Sequence, residues 1–300
     1  MFRGALTALI TPLRRDAGGA LELDEPALVA LVEAQIAAGI HGLVPCGTTG
    51  EASTLSVAEH LRVVELVVKT ARGRVPVLAG AGANSTAKAI ELAQACKRLG
   101  VDGTLQVTPY YNRPTQAGLV AHFRAITRES DLPVVVYNVP GRTACDLLPE
   151  TVAELAADPK IVGIKEATGD MNRAARLREL LRGRPDFALL SGDDFTVFPF
   201  LALGGHGVIS VTSNVAPSWV AGLCDAAAAG RWDDARALHD RHYPLARALF
   251  TQPNPIPVKA ALALQGRCTG ELRLPLVPID LQSRDGQALA DALRALGLLS

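Results

Sequence analysis

The sequence predicts an α/β chain, a (β/α)8 TIM barrel with a C-terminal helical extension, and three observations carry that prediction. Eight short β-rich runs recur before residue 230, a stretch of helical period follows each, and residues 231–300 carry no strand pattern. Eight strand–helix units in roughly 225 residues have the size and rhythm of such a barrel. A doubly wound open sheet shares the alternation, because periodicity alone does not close a sheet.

The elements follow in order. Run 5–10 (ALTALI) precedes helix 25–38, and run 42–46 (GLVPC) precedes helix 57–71, where Ser56 and Glu59 have capping-box spacing. Run 75–81 (VPVLAGA) leads to helix 86–99, with Asn84-Ser85 as its cap. Runs 104–108 and 133–138 (PVVVYN) are followed by helices 116–129 and 150–157. Run 161–166 (IVGIKE) leads to helix 171–182, which Asp170 can cap, and runs 187–191 and 207–212 lead to helices 194–203 and 217–229. Helical stretches at 231–250, 256–265 and 286–297 are separated by the Pro-rich TQPNPIPV and LRLPLVPID. The expected organisation is a catalytic barrel over 1–230 and a helical domain over 231–300.

Thirty Lys+Arg balance thirty Asp+Glu, which removes the basic footprint of a nucleic-acid binder. Hydrophobic residues make up 49% of the chain, too many for a disordered protein. No apolar run approaches the roughly 20 residues of a membrane span. The N-terminal MFRGALTALITPLRRD lacks a clear signal-peptide cleavage site and reads as a first strand. The scattered Cys46, Cys96, Cys145, Cys224 and Cys268 show no CxxC spacing, so buried reduced thiols and a cytoplasmic location are expected.

Only six of the thirty cationic residues are lysines, so a lysine in an apolar context stands out. Lys165 lies inside IVGIKEA, and strict alternation puts it on one face with Ile161, Gly163 and Ala167. Desolvation there favours the neutral amine and lowers its pKa from a reference of ~10.4. A neutral amine is the nucleophile that forms a Schiff base with a carbonyl substrate. The bland alternative is a structural lysine paired with a carboxylate, although the adjacent Glu166 faces the opposite side. Lys69, Lys88 and Lys97 fall on helices, Lys160 at the other end of the strand, and Lys259 in the C-terminal extension.

Tyr110 and Tyr111 follow the fourth strand and Tyr137 ends the fifth. A phenol there can relay protons, or serve only as a rim aromatic. Gly47-Thr48-Thr49-Gly50-Glu51 follows the second strand, and its glycines let backbone N–H groups approach a carboxylate; a structural turn is the alternative. Arg142, after the fifth strand, can grip a second carboxylate. GAGANS at 80–85 lacks the third glycine of a dinucleotide loop. His239 and His242 lie in a charged tail helix and read as solvated rather than metal-ligating, and no GxSxG elbow supports hydrolysis.

GTTGE at 47–51, VTPYYNRP at 107–114, YNVPGRT at 137–143, GIKEATG at 163–169, LLSGDD at 189–194 and GGHGVISVTSN at 204–214 carry a resemblance. Together with PNPIPVK at 253–259 and LRLP at 272–275, their order and spacing resemble the dihydrodipicolinate synthase family of pyruvate-dependent Schiff-base lyases, over essentially the whole chain. The resemblance implies lysine and diaminopimelate biosynthesis, with pyruvate and L-aspartate 4-semialdehyde as substrates. It implies a homotetramer, a dimer of tight dimers, and no metal or organic cofactor. Lys165 would form the Schiff base. Tyr137 would donate and accept protons, with Thr48 and Tyr111 completing the relay, Tyr111 reaching into the neighbouring subunit's site. Thr48 and Thr49 would hold the pyruvate carboxylate, Gly192 and Ile209 would line its pocket, and Arg142 would bind the semialdehyde carboxylate.

Related lyases keep the lysine and first tyrosine but take sugar acids, which is the alternative reading; Tyr111 and Arg142 together favour the synthase. A non-catalytic paralogue with a binding role is the reading from another class, and the complete relay argues against it. Lysine-inhibited members use residues matching His60, Asn84 and Tyr110, but also an acid and a histidine where this chain has Lys88 and Val57. A cation at Lys88 opposes the effector's ammonium, so weak or absent lysine inhibition is expected.

Overall fold

The computed structural model describes residues 2–299. All eight predicted runs are strands: β1 Gly4–Ala8, β2 Gly42–Val44, β3 Leu78–Gly80, β4 Gly103–Val107, β5 Val134–Asn138, β6 Ile161–Glu166, β7 Ala188–Ser191 and β8 Gly207–Ser210. They pair in parallel in the order β2-β1-β8-β7-β6-β5-β4-β3. A parallel bridge between Leu43 and Val77 joins the two ends, and the Leu43 N–H donates to the Pro76 carbonyl at 3.0 Å. The sheet is therefore a barrel and not the open alternative.

The outer helices are α1 Glu25–Ala37, α2 Val57–Ala71, α3 Thr86–Arg98, α4 Gln116–Ser130, α5 Pro149–Leu155, α6 Met171–Leu180, α7 Val197–Ala202 and α8 Pro217–Ala228. Ser56 and Glu59 form the reciprocal capping box on α2, and the Asp170 carboxylate accepts from the Asn172 and Arg173 N–H groups at the start of α6. The third cap differs: Ser85 occupies the position before α3, but its side chain makes no cap bond. The sequence pattern also missed a hairpin, Leu13–Arg15 with Leu21–Leu23, and a helical turn at Pro140–Thr143. Strands of three residues are too short to show alternation.

Apolar side chains divide into two layers. Leu6, Val44, Leu78, Leu105, Val135 and Leu190 fill the barrel, while a larger layer fills the space between strands and helices. The expectation that Ile161 shares a face with Lys165 fails. The β5–β6 register shifts between Val134 and Val135, which pair with Ile161 and Gly163. Ile161 and Ile164 both belong to the outer layer, and Val162 packs on the inner one. An irregularity of this kind interrupts the two-residue period.

The C-terminal segment forms α9 Trp232–Leu249, α10 Ile256–Leu264 and α11 Arg284–Ala295. Helix α9 packs on α8 and α11. It is not a solvated tail helix, because His242 is fully buried. The thiols are free, four buried and Cys268 partly exposed. No helix among the described residues is long and apolar enough to cross a membrane.

Lys259, on α10, is also fully buried. Its Nζ lies 2.5 Å from Glu51 Oε1, and Glu51 Oε2 accepts from the Arg273 N–H at 3.2 Å. Burial outweighs the attraction of Glu51 and leaves the Lys259 ammonium pKa below its usual value. Removing one partner of such a pair strands the other charge without solvent. Lys259→Met is therefore expected to cost about 3–5 kcal/mol, read as a lowered urea midpoint. A loss within the range of an exposed pair would show that water reaches Glu51.

Candidate active site

The site forms at the C-terminal ends of the strands, where loops of a parallel barrel converge. In the β5–β6 register Tyr137 pairs with Lys165 and Asn138 with Glu166. Neighbouring residues of a strand face opposite sides, so the first pair points into the barrel and the second toward the helices. Lys165 is buried, with its Nζ 4.2 Å from the centroid of the Tyr137 ring. Glu166 is turned away and occupied: its Oε2 accepts from Arg173 Nε at 2.7 Å and its Oε1 from the Thr168 N–H at 2.9 Å.

Burial pushes the Lys165 ammonium from 10.5 down to about 8; the Asp194 carboxylate opposes the fall and the Arg142 guanidinium adds to it. Burial likewise raises the Tyr137 phenol above its usual value, against the pull of Arg142 and of a hydrogen bond from Thr48. A buried amine of lowered pKa and a buried neutral phenol are a nucleophile and a proton carrier held in contact.

Gly192 packs against the lysine stem. A Cβ there would sit 3.0 Å from Lys165 Cε and 2.7 Å from the Ala167 Cβ, so a side chain at 192 would displace the amine. Gly192 is held by its own N–H, which donates to the Glu166 carbonyl at 2.7 Å. Ile209, on β8, belongs to the same inner layer as Tyr137.

Thr48, Tyr137 and Arg142 share the wall of one cavity of about 360 Å³, which His60 and Tyr110 extend. Lys165 stays off this wall, its amine lying over the Tyr137 ring that forms part of it. Arg142 is carried by the helical turn at Pro140–Thr143. In the loop after β2, Gly50 and Glu51 donate back to Gly47 and Thr48 at 3.1 Å each. Among the described residues, the Thr48 and Thr49 N–H groups have no protein acceptor. They are free to receive an anion.

Thr49 lies buried behind this rim, its hydroxyl accepting from Asn254 Nδ2 at 2.9 Å. Tyr111 is the one candidate that its own chain does not bring in. It is 90% exposed and has φ +73°, standing out from the loop after β4.

Sequence reasoning missed three supports. Asp194 Oδ2 accepts from the Val211 and Thr212 N–H groups at 2.8 and 3.0 Å, and its Oδ1 lies 3.5 Å from Nε2 of His242. Asn254 backs Thr49, and the Glu51–Lys259 pair holds the loop end. No group of three or more His, Cys, Asp or Glu side chains among the described residues is placed to ligate a metal.

Comparison with known proteins extends over the same length. A sequence model of the dihydrodipicolinate synthetase family matches residues 1–295. A 4-hydroxy-tetrahydrodipicolinate synthase from Oleidesulfovibrio alaskensis is 51% identical over 99% of both chains. A dihydrodipicolinate synthase crystal structure from Thermotoga maritima superposes with a TM-score of 0.95 at 45% identity, covering 100% of each chain. A chloride-inhibited dihydrodipicolinate synthase from Acinetobacter baumannii, solved with pyruvate, gives a TM-score of 0.95 at 44% identity, again with 100% of each chain covered. With a buried lysine against a tyrosine at the rim of a closed barrel, and with these matches end to end, the chain belongs to the dihydrodipicolinate synthetase family.

Proposed function

We propose that this chain condenses pyruvate with L-aspartate 4-semialdehyde to 4-hydroxy-tetrahydrodipicolinate, through a Schiff base on Lys165. The observation that carries the reading is the buried Lys165 amine, with a pKa near 8, held against Tyr137. The neutral amine attacks the pyruvate ketone carbon, and loss of water gives an iminium. Thr48 and Thr49 N–H groups hold the carboxylate, and Tyr137 moves protons to and from the reacting oxygen, with the Thr48 hydroxyl beside it. The iminium draws electrons from the methyl group, which loses a proton to give an enamine. The enamine carbon attacks the aldehyde, whose oxygen is protonated to the hydroxyl. The semialdehyde's amine then attacks the iminium carbon, closes the ring and expels Lys165.

Arg142 is assigned to the second substrate's carboxylate, on the strength of its place on the cavity wall. Tyr111 completes the relay from a neighbouring subunit, a role that its exposure supports. The working form is accordingly a homotetramer of two tight dimers, in the cytoplasm, and the chemistry calls on no cofactor beyond the covalent pyruvate.

Pyruvate consumption with the semialdehyde should saturate and yield the cyclic product. An adduct without that product would redirect the reading to a sugar-acid substrate. Borohydride added with pyruvate should inactivate the enzyme and label Lys165, sparing the paired Lys259; a label elsewhere ends the mechanism. Because the amine must be neutral to attack, the rate of adduct formation should fall as pH drops through about 8.

The burial that activates Lys165 also costs stability. A fall from 10.5 to about 8 is worth about 3 kcal/mol against the charged form. The folded-state pKa is the lower one, so the cost is absent above pH 10.5, grows as pH falls and is complete below about 8. Lys165→Met should therefore abolish the adduct yet raise stability at pH 7 by up to about 3 kcal/mol, with the gain shrinking in alkali.

Three features support weak feedback by lysine. Lys88 presents its charge at the surface, and Val57, 69% exposed, offers no polar atom. His60 is committed to the Gly80 carbonyl at 2.9 Å. Submillimolar lysine should leave the rate unchanged, and a clear drop would overturn this expectation.

A further inference from the structure

The opposite end of the barrel carries a basic cavity with no part in the chemistry above. Two adjoining cavities, of about 530 and 420 Å³, open where β1, β7 and β8 begin, and share Arg178, Gly204 and His206. Arg178, on α6, lies flat on the backbone of Gly204: its Nη1 donates to the Gly204 carbonyl at 3.1 Å. A Cβ on Gly204 would fall 1.4 Å from that nitrogen, and Gly204 has φ +90°. The position thus requires glycine both for its conformation and for seating the guanidinium. Arg3 stands across the cavity, its Nη2 donating to the Pro185 carbonyl at 2.6 Å.

Neither guanidinium has a carboxylate partner among the described residues. The wall's own acid, Asp225, is taken by Nε2 of His41 at 3.0 Å, and the nearby Asp186 is taken by Arg184 at 2.9 Å. His206 lines the larger cavity together with both arginines. Its Nδ1 accepts from the Leu189 N–H at 3.0 Å, which fixes the ring proton on Nε2, where no acceptor in the described chain takes it. Burial and the charges of Arg3 and Arg178 push this imidazole down to about 4. No carboxylate offsets the two positive charges at the ring itself, although the Asp186 carboxylate also feels Arg3.

We propose that this floor of the barrel is a binding site for a tetrahedral oxyanion of the phosphate class, gripped by Arg3 and Arg178 with His206 Nε2–H as a third donor. Guanidinium forks match the oxygen edges of such an anion. An anion also relieves the repulsion between two cations that share a cavity. The cavity lies at the barrel end away from Lys165, so this binding does not depend on the catalytic reading.

The test is titration of the intact protein with inorganic phosphate, and separately with sulfate, at an ionic strength held constant with potassium chloride. The His206 ring resonances report the site. Both oxyanions should shift them saturably. Arg178→Gln and Arg3→Gln should each weaken binding about tenfold, the loss expected for one charge-assisted bond. Both arginines are exposed, so an unchanged melting midpoint keeps each variant interpretable. A shift that chloride reproduces, that never saturates, or that survives in the double variant would overturn the proposal.

Discussion

The parallel register of β5 and β6 is the constraint on which the candidate site depends. It places Tyr137 beside Lys165 inside the barrel and Asn138 beside Glu166 outside it. Sliding β6 by one residue toward its start would exchange its two faces and put the Glu166 carboxylate where the amine now lies. The outer pair holds the inner one in place: Arg173 grips Glu166, and Asn138 Nδ2 donates to Asp146 Oδ1 at 3.0 Å. The shift at Val134/Val135 absorbs the mismatch lower down, so both strands reach the rim in step.

Two lysines are buried in this chain, and their surroundings divide their roles. Lys259 meets a carboxylate at 2.5 Å and stays fixed as one half of an ion pair. Lys165 has the Tyr137 ring face beside its amine. The acid that acts on it, Asp194, spends one oxygen on two backbone N–H groups. The first arrangement ties the C-terminal helices to the loop after β2; the second leaves an amine able to lose its proton. Burial is common to both, and the partner decides the chemistry.

Much of this was legible in the chain because it is local. The alternation of β-rich runs and helical stretches recovers every barrel strand, and a lysine inside IVGIKEA is visible without any fold. What escaped is set by contacts between distant residues. Ile161 was misplaced because pairing with β5, not alternation within β6, decides its face. His242 was read by its charged neighbours Asp240 and Arg241, although its spacing from Ala235, Leu245 and Leu249 puts it on the buried stripe of α9. Lys259 carried the same signal as Lys165, a cation among IPVKAALAL, and only its distance from the barrel strands hid it. Tyr111 could be placed after β4 from sequence, but its outward stance belongs to the shape of the loop.

The pair that closes the rim joins residues 208 positions apart. During synthesis, the loop holding Thr48 and Thr49 is made early, and Lys259, with Asn254 behind Thr49, leaves the ribosome near the end. Contacts of that separation form only after the intervening chain is available. The barrel walls can assemble as their strands emerge, while Glu51 waits, charged and hydrated, for its partner. The loop after β2 is thus the last part of the rim to be fastened, and a nascent chain that stalls before α10 would carry a barrel with an open latch.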